Sequence, residues 1–336
     1  MVIATGTLLK HVSLGVGKVV AVEPTAVHVF FPGSDSRYAA KLRWPAASAL
    51  VSTAGVEPNA WLQGLTTFSF DAAAGRYALA ANFLSHSKAM AEFVASFAEG
   101  FTDPAYLGTG KGKRERASRW RAAHAEWLQA FGNGQGERLV ADGEVPELSR
   151  RALRVAAHVT CLPGMVEQAV LEEALEPGEP VPQFFEALFK VLPGPPPKAR
   201  MDAYFAAADA LGARPEERWP MATLFPFVAE PLQQVLLLPR SACAAAARLG
   251  CNLRFHASPN WTTYAALREL SVQLLEKLQA IGARDFVDVE CFLHIIACKR
   301  PPAAATVRAP QSTPTTRRAG PKRASSAAPR AKRARA

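Results

Sequence analysis

The fold of the N-terminal region depends on residues 15–33, which have the sequence GVGKVVAVEPTAVHVFFPG. Two runs rich in valine, Gly17–Glu23 and Val27–Phe31, lie on either side of a short turn at Pro24. Valine and phenylalanine favour strands, and proline favours the turn that joins them. The stretch therefore predicts two neighbouring β-strands connected by a tight turn.

The glycine pair Gly15 and Gly17 invites a second interpretation, as a loop that cradles a phosphate. The dinucleotide fingerprint needs a third glycine at the sixth position and a helix after it. Here Val20 occupies the sixth position and a strand follows. A P-loop would need serine or threonine directly after Gly-Lys, and Val19 stands there instead. We therefore interpret the glycines as allowing a tight turn or a bulge between strands.

Three more short strands are predicted around this pair, at Thr5–Leu9, Arg37–Leu42 and Ala49–Ser52. Glycine, proline, serine and aspartate separate the strands, as expected of turns. Five short strands in so short a stretch can bury one face only if the sheet curls on itself. We therefore predict a small SH3-like β-barrel over residues 1–56.

This region resembles the Tudor-like barrels of the CarD type and of helicase C-terminal tails. The resemblance is carried by His11–Glu23, Val27–Phe31 and the pair Lys41-Leu42. It consists of a histidine, a Gly-x-Gly, a valine-rich strand and a second strand that ends in phenylalanine. It implies an adaptor that docks on RNA polymerase or another nucleic-acid machine, and it implies no reaction.

Residues 57–298 are predicted to form a larger, mainly α-helical domain, so the predicted fold class is α+β. A hairpin over 65–80 comes first. The helical pattern is clearest over 262–281, where leucines recur every three or four positions and Gly282 ends the helix. The run PGPPP at 193–197 cannot continue a helix and suggests an internal boundary at 193–198. The other predicted helices are 85–99, 114–131, 147–159, 164–176, 182–192, 199–211 and 240–249.

A second resemblance covers most of residues 85–298. The segments Arg218–Thr223, Pro259–Tyr264 and Gly282–Leu293 look like a helical segment shared by uncharacterised prokaryotic proteins. Phe101–Tyr106 and the basic helix behind it are similar to an earlier part of the same family. The resemblance implies a type of fold and no particular activity.

One predicted helix carries a concentration of positive charge. Its apolar residues fall on one face at a spacing of three to four, so its cations point elsewhere. Two interpretations stay open, an ordinary solvated helix surface and a patch that contacts phosphates. Arg150, Arg151 and Arg154 would extend the patch if they lie nearby. The cations of the helix and of the loop before it are Lys111, Lys113, Arg114, Arg116, Arg119 and Arg121.

Two clusters near the end of the helical region could carry chemistry. Asp285, Asp288 and Glu290 could hold Mg²⁺, or they could stabilise the start of a helix through its dipole. Cys291, His294 and Cys298 could bind zinc with Cys243 or Cys251, or they could be packing residues of a buried helix. The sequence leaves metal binding by these residues open, and our leading interpretation includes no cofactor.

The last part of the chain, residues 299–336, is called the tail below. It holds eleven lysines and arginines and no acidic residue, whereas residues 1–298 hold 28 basic and 29 acidic residues. Its alanine, proline and serine content predicts disorder, because it offers almost no apolar surface to bury. The tail is similar to the tails of linker histones and bacterial histone-like proteins. Its predicted nucleic-acid contacts are Arg317, Arg318, Lys322, Arg323, Arg330, Lys332, Arg333 and Arg335.

The remaining features bound the class of protein. Five cysteines, no apolar run long enough to span a bilayer and no basic start before an apolar segment predict a cytoplasmic location, including the nucleoid, with no membrane partner. We predict a non-enzymatic protein of transcription regulation. Its tail would bind DNA or RNA without sequence choice, and its barrel would contact a protein such as RNA polymerase. The alternatives are a metal-dependent, nuclease-like enzyme and a protein-interaction scaffold.

Overall fold

Strands begin the chain and helices complete it. A computed structural model of the protein describes residues 3–32, 36–109, 116–192 and 194–298. The described part of the chain is about 52% helical and has a small antiparallel sheet near its N-terminus. The predicted α+β class is therefore confirmed. The tail lies outside the described residues.

The sheet has five antiparallel strands in the order β4-β3-β2-β1-β5. Because chain neighbours β1 to β4 also pair in space, short turns suffice to connect them. The 3-10 helix Ala46–Leu50 joins β4 to β5. The strands are β1 (Leu8–His11), β2 (Gly15–Glu23), β3 (Ala26–Phe30), β4 (Ala40–Arg43) and β5 (Val51–Ser52).

The two glycines of β2 serve different purposes. Gly15 has a φ of 77°, a left-handed conformation that favours glycine at the turn between β1 and β2. Gly17 has no such φ, but a Cβ there would lie 2.6 Å from the ring of Phe31. The register shift of the β2–β3 pair falls between Val19 and Ala21, away from both glycines. One glycine thus makes a turn and the other makes room for a ring.

The strands β4 and β5 are the two edges of the sheet. No pairing joins them among the described residues, so closure into an SH3-like barrel stays a prediction. One face of the sheet has its own apolar cluster, formed chiefly by Val19, Val27 and Phe31. The alternation of residues along the strands sends other side chains, such as Phe30, to the opposite face.

That opposite face packs on the first helical residues. Phe30 shares an apolar cluster with Trp61, Leu62 and Leu65. Lys18 is buried at the same junction and its Nζ donates to the carbonyl oxygen of Leu65 at 2.7 Å. Burial lowers the pKa of the Lys18 ammonium. Residues Met1–Lys299 accordingly form one compact unit, in which the sheet and the helices share apolar contacts.

A two-stranded hairpin and the helices follow the sheet. The hairpin consists of β6 (Ser69–Asp71) and β7 (Arg76–Ala78). None of the described helices is both long enough and apolar enough to cross a membrane. The helices are α1 (Ala60–Gly64), α2 (His86–Val94), α3 (Pro104–Leu107), α4 (Arg116–Phe131), α5 (Gln135–Ala141), α6 (Val145–Ala157), α7 (Gln168–Ala174), α8 (Pro180–Val191), α9 (Lys198–Asp209), α10 (Arg218–Ala229), α11 (Pro239–Arg248), α12 (Trp261–Leu278) and α13 (Phe286–Cys298).

Two helices occupy the centre of the helical region. Every residue of α10 from Trp219 to Ala229 is buried, and most of α13 is buried as well. The helix α4 packs against both of them and against α6. This arrangement places the basic helix α4 directly beside the acidic start of α13, and it therefore decides the geometry of the candidate site.

Candidate nucleic-acid interface

The structure brings together two clusters that the sequence analysis treated separately. The cations Arg116, Arg119 and Arg121 lie on the first turns of α4. The acids Asp285, Asp288 and Glu290 lie at the start of α13, which packs against α4. Five of these six residues, all except Arg119, form the ion pairs between the two helices that we call the network.

Arg116 and Glu290 form the more deeply buried part of this network. The Nε atom of Arg116 donates to Oε2 of Glu290 at 2.8 Å, and Nη2 donates to Oε1 at 2.5 Å. Trp120 donates its indole N–H to the same carboxylate at 3.1 Å. Only 12% of the Arg116 side chain and 8% of the Glu290 side chain remain exposed. The two charged groups have therefore lost most of their contact with water and are joined by charge-assisted hydrogen bonds from two guanidinium nitrogens.

Arg121 forms the second part of the network. Its Nη2 atom donates to Oδ1 of Asp285 at 2.9 Å and to Oδ1 of Asp288 at 3.0 Å. The Asp288 carboxylate has no solvent exposure and also accepts the hydroxyl of Tyr106 at 2.6 Å. Arg284 adds a backbone N–H bond to Asp288 at 2.9 Å. The Asp288 carboxylate thus accepts hydrogen bonds from three residues, Arg121, Tyr106 and Arg284.

The network changes the proton affinity of its members. Burial alone would lower the pKa of the Arg116 and Arg121 guanidinium groups, but the carboxylates beside them outweigh it and hold both pKa values above normal. Burial, together with the charge of Asp288, raises the pKa of the Tyr106 hydroxyl. The arginines are therefore charged and the tyrosine is neutral around neutral pH.

The acidic cluster consequently has a structural role. Asp285 also accepts the backbone N–H of Val287 at 3.0 Å, which stabilises the first turn of α13 in the way the sequence pattern indicated. Among the described residues there is no group of three or more His, Cys, Asp or Glu side chains that could hold a metal ion. The arginines occupy the carboxylate oxygens that a nuclease-like enzyme would offer to Mg²⁺.

The cysteines of α13 lie in different environments. Cys291 is buried, and burial raises the pKa of its thiol. Cys298 is exposed, and its Sγ lies 3.9 Å from Nε2 of His294. Burial raises the pKa of the Cys251 thiol to about 12, so this thiol is protonated at neutral pH. The interpretation of Cys291 as a packing residue of a buried helix is therefore the one that its environment supports.

The arginines proposed to extend the basic patch already have partners. Arg150 and Arg151 both donate to Glu147, at 2.6 Å in each case. Arg154 reaches α4, as the patch hypothesis required, but there it meets Glu126 at 2.8 Å. The two arginines beside it lower the pKa of Glu147 to about 2. The charges on this side of α6 are therefore largely balanced within the protein.

Arg119 differs from the other arginines of α4. It is half-buried, and its Nη1 atom donates to the carbonyl oxygen of His158 at 3.4 Å. Among the described residues no carboxylate lies within ion-pair distance of it. Of the predicted phosphate contacts that the structure describes, Arg119 alone keeps an uncompensated charge. Lys111, Lys113, Arg114 and the eight predicted contacts of the tail lie outside the described residues.

Aromatic and basic side chains meet on the β6–β7 hairpin and on β4, at positions with no role predicted from the sequence. Phe70 and Tyr77 lie directly opposite each other in the hairpin, with ring centroids 5.3 Å apart. The Tyr77 ring contacts His28 of β3 at 5.0 Å. The predicted hairpin over 65–80 is confirmed as β6 and β7, but nothing in the sequence indicated that Phe70 would be exposed or that cations would lie beside it.

Positive charge accompanies these rings. Lys41 lies opposite His28 in the β3–β4 pair, so the two side chains share a face of the sheet. Arg43, two residues further along β4, is exposed on that same face. We call Phe70, Tyr77, Lys41 and Arg43 the hairpin surface. It combines aromatic rings with cations, as surfaces that bind single-stranded nucleic acid do.

No protein-family model, characterised protein or solved structure matches this chain. The charges, burial and contacts described above are therefore the basis for a functional proposal.

Proposed function

We propose that this is a nucleic-acid-associated protein without enzymatic activity, in which the tail provides non-specific affinity for DNA or RNA. One observation carries the proposal. The tail holds eleven cations and no acid, whereas residues 1–298, called the body below, hold 28 basic and 29 acidic residues. In α4 and α6, the arginines that could have formed a second basic surface are mostly paired with carboxylates.

The physical mechanism is counterion release. Each phosphate that a lysine or arginine neutralises releases condensed cations into solution. For each such phosphate, the logarithm of the association constant therefore falls by about 0.9 when the salt concentration rises tenfold. Several simultaneous contacts from the tail would give a steep salt dependence. Contacts of this kind do not distinguish one base from another, so the tail would bind without sequence choice.

We further propose that the N-terminal sheet contacts a protein. Val12 is 75% exposed and Leu50 is 45% exposed, and a backbone hydrogen bond from Val12 to Leu50 holds the two residues side by side. Leu14 adds a third exposed apolar side chain near them. The resemblance to CarD-type barrels supports RNA polymerase as the partner and the nucleoid as the location.

The test compares the full chain with a full-length variant in which the eleven tail lysines and arginines are replaced by serine. Binding to a labelled duplex is measured by fluorescence anisotropy over a salt series. We expect the variant to lose most of its affinity and nearly all of its salt dependence.

The matched control carries Arg150→Gln, Arg151→Gln and Arg154→Gln, which remove three cations that already contact Glu147 or Glu126. This control should bind as the unaltered chain does. If the tail variant kept the affinity and the salt slope of the unaltered chain, the proposed function would be wrong.

A further inference from the structure

We propose that the hairpin surface binds unpaired bases of a single-stranded nucleic acid, with Phe70 as the stacking platform. The proposal rests on the proposed function for the class of partner. It adds a contact at another place in the chain and of another kind, because the tail would recognise phosphates and the hairpin surface would recognise the faces of bases.

The exposure of Phe70 is the first observation. Its side chain is 54% exposed, whereas the largest aromatic side chains of the described chain, such as Trp120 and Phe225, are buried. Leaving a phenylalanine in water forgoes the free energy that burial would provide. Tyr77 packs edge-on against one side of the Phe70 ring, at an interplanar angle of 67°. The ring is thus supported by its neighbour and still open to a ligand.

The rigidity of the platform is the second observation. Tyr77 is held between Phe70 and the ring of His28, and His28 is completely buried in the sheet. The backbone N–H of Ala39 donates to the carbonyl oxygen of Tyr77 at 2.8 Å, which ties the hairpin to the chain before β4. An aromatic ring held in this way loses little conformational entropy when a base stacks on it.

The charge beside the rings is the third observation. Arg43 is exposed and has no carboxylate partner among the described residues. Lys41 is half-exposed, and Glu23 lies 3.0 Å from its Nζ atom. These cations share the face on which His28 meets Tyr77. A strand whose base stacks on Phe70 would therefore have cations within reach of its phosphates.

These features favour a single strand over a duplex. In a duplex the faces of the bases are covered by their neighbours in the stack, so the Phe70 ring would have no base face to contact. A single strand exposes base faces, and every base has one, so this contact would tolerate any sequence. A protein partner would need an apolar counterpart for Phe70 and acids for Arg43, and in that case Phe70→Leu would leave binding to both oligonucleotides unchanged.

The test uses the full chain and two labelled oligonucleotides, a single strand and the duplex of the same sequence. Phe70→Leu keeps an apolar side chain and removes the aromatic face. We expect it to weaken binding to the single strand about tenfold and to leave duplex binding unchanged. Phe70→Trp keeps an aromatic face and should bind the single strand at least as well as the unaltered chain.

The matched control is Leu128→Ala, because the Leu128 side chain of α4 is also 54% exposed. It should alter neither affinity. A 2-aminopurine base in the single strand reports stacking directly, and its fluorescence should be quenched by the unaltered chain and not by Phe70→Leu.

The outcomes separate this inference from the proposed function. If the unaltered chain bound neither oligonucleotide, the proposed function would be overturned and this inference with it. If the chain bound both and Phe70→Leu behaved like the control, only the stacking role of the hairpin surface would be refuted. Loss of quenching in Phe70→Leu but not in Phe70→Trp would support the inference independently of affinity.

Discussion

Arg116 and Glu290 are 174 positions apart in the chain and form a two-pronged ion pair between α4 and α13. Both side chains are nearly buried, and the indole of Trp120 donates to the same carboxylate. Two clusters that looked like separate ligand sites in the sequence are therefore the two halves of one structural contact.

Breaking this pair should cost more than breaking an exposed one. Glu290→Gln leaves the Arg116 guanidinium buried without its counter-charge, and we expect the free energy of unfolding to fall by about 3–5 kcal/mol. Urea unfolding followed by circular dichroism measures the change. The control is Glu186→Gln, which breaks an exposed pair with Lys190 and should cost less than about 1 kcal/mol. Equal effects of the two substitutions would contradict the assignment.

Substitutions of Arg119 and Arg121 should affect different properties, the first nucleic-acid binding and the second the stability of the fold. Arg121→Gln removes a donor to the buried Asp288 and should lower the free energy of unfolding. Arg119→Gln removes an uncompensated charge, and we expect it to reduce the slope of log affinity against log salt by about one with little change in stability. Arg154→Gln is the control for the slope, because Glu126 already balances that charge. An unchanged slope in Arg119→Gln would remove Arg119 from the interface.

His86 should make the protein less stable in mild acid. Burial, aided by the positive charge of Lys277, lowers the pKa of His86 to about 4, and its ring packs 4.5 Å from that of Trp61. The unfolded chain takes up this proton near pH 6.5 and the folded chain only near pH 4, so the stability is full above pH 6.5 and is lost as the pH falls from 6.5 to 4.

Between pH 7.5 and pH 5 this single group should cost on the order of 2 kcal/mol of unfolding free energy. The measurement is urea unfolding of the unaltered chain and of His86→Gln at both pH values. The variant should lose less stability than the unaltered chain by about that amount. An identical loss in both proteins would show that His86 is not the titrating group.

The close approach of Phe31 to Gly17 gives a further prediction. Gly17→Ala would place a Cβ 2.6 Å from the Phe31 ring and 2.7 Å from a methyl group of Val29, so we expect a loss of about 1–3 kcal/mol in unfolding free energy. Gly64→Ala is the control, because no atom lies within 4 Å of a Cβ at that position. It should leave stability unchanged or raise it slightly, since alanine favours the helical conformation. Equal thermal midpoints for the two variants would be inconsistent with the packing described.

Most of the helices and strands that bury one face and expose the other could be predicted from their apolar pattern. The helix predicted over 262–281 corresponds to α12 and the 3-10 turn Gln279–Ile281 that follows it, with Gly282 in a left-handed conformation at its end. The predicted strands match β1 to β5 within a few residues at each end. In these elements local propensity and the burial pattern agree.

The helix α10 was not predicted, because every side of it is buried. Its sequence RWPMATLFPFVA has no polar face to reveal a period, and Pro220 and Pro226 both argued against a helix. Pro220 is tolerated in the first turn, where its missing N–H has no partner to lose. Burial in the centre of the helical region evidently outweighs the disadvantage of Pro226.

The ion-pair network could not be predicted from local pattern for a different reason. The spacing of Arg116 and Arg121 describes α4, and the spacing of Asp285 and Asp288 describes α13. Nothing in either spacing shows that the two helices are neighbours. Likewise, the exposure of Phe70 depends on how the hairpin packs on the sheet, which is a tertiary property.

The order of α4 and α13 along the chain has a consequence for synthesis. The ribosome adds about 5–20 residues per second, so the Arg116 guanidinium must wait roughly 10–30 s for the carboxylate of Glu290 to be made. During that interval the faces of α4 and α11 that α13 will cover stay open to the solvent. The body can complete its core only when its last helix has left the ribosome, so a truncated or stalled chain would present a basic, aromatic surface to any chaperone nearby.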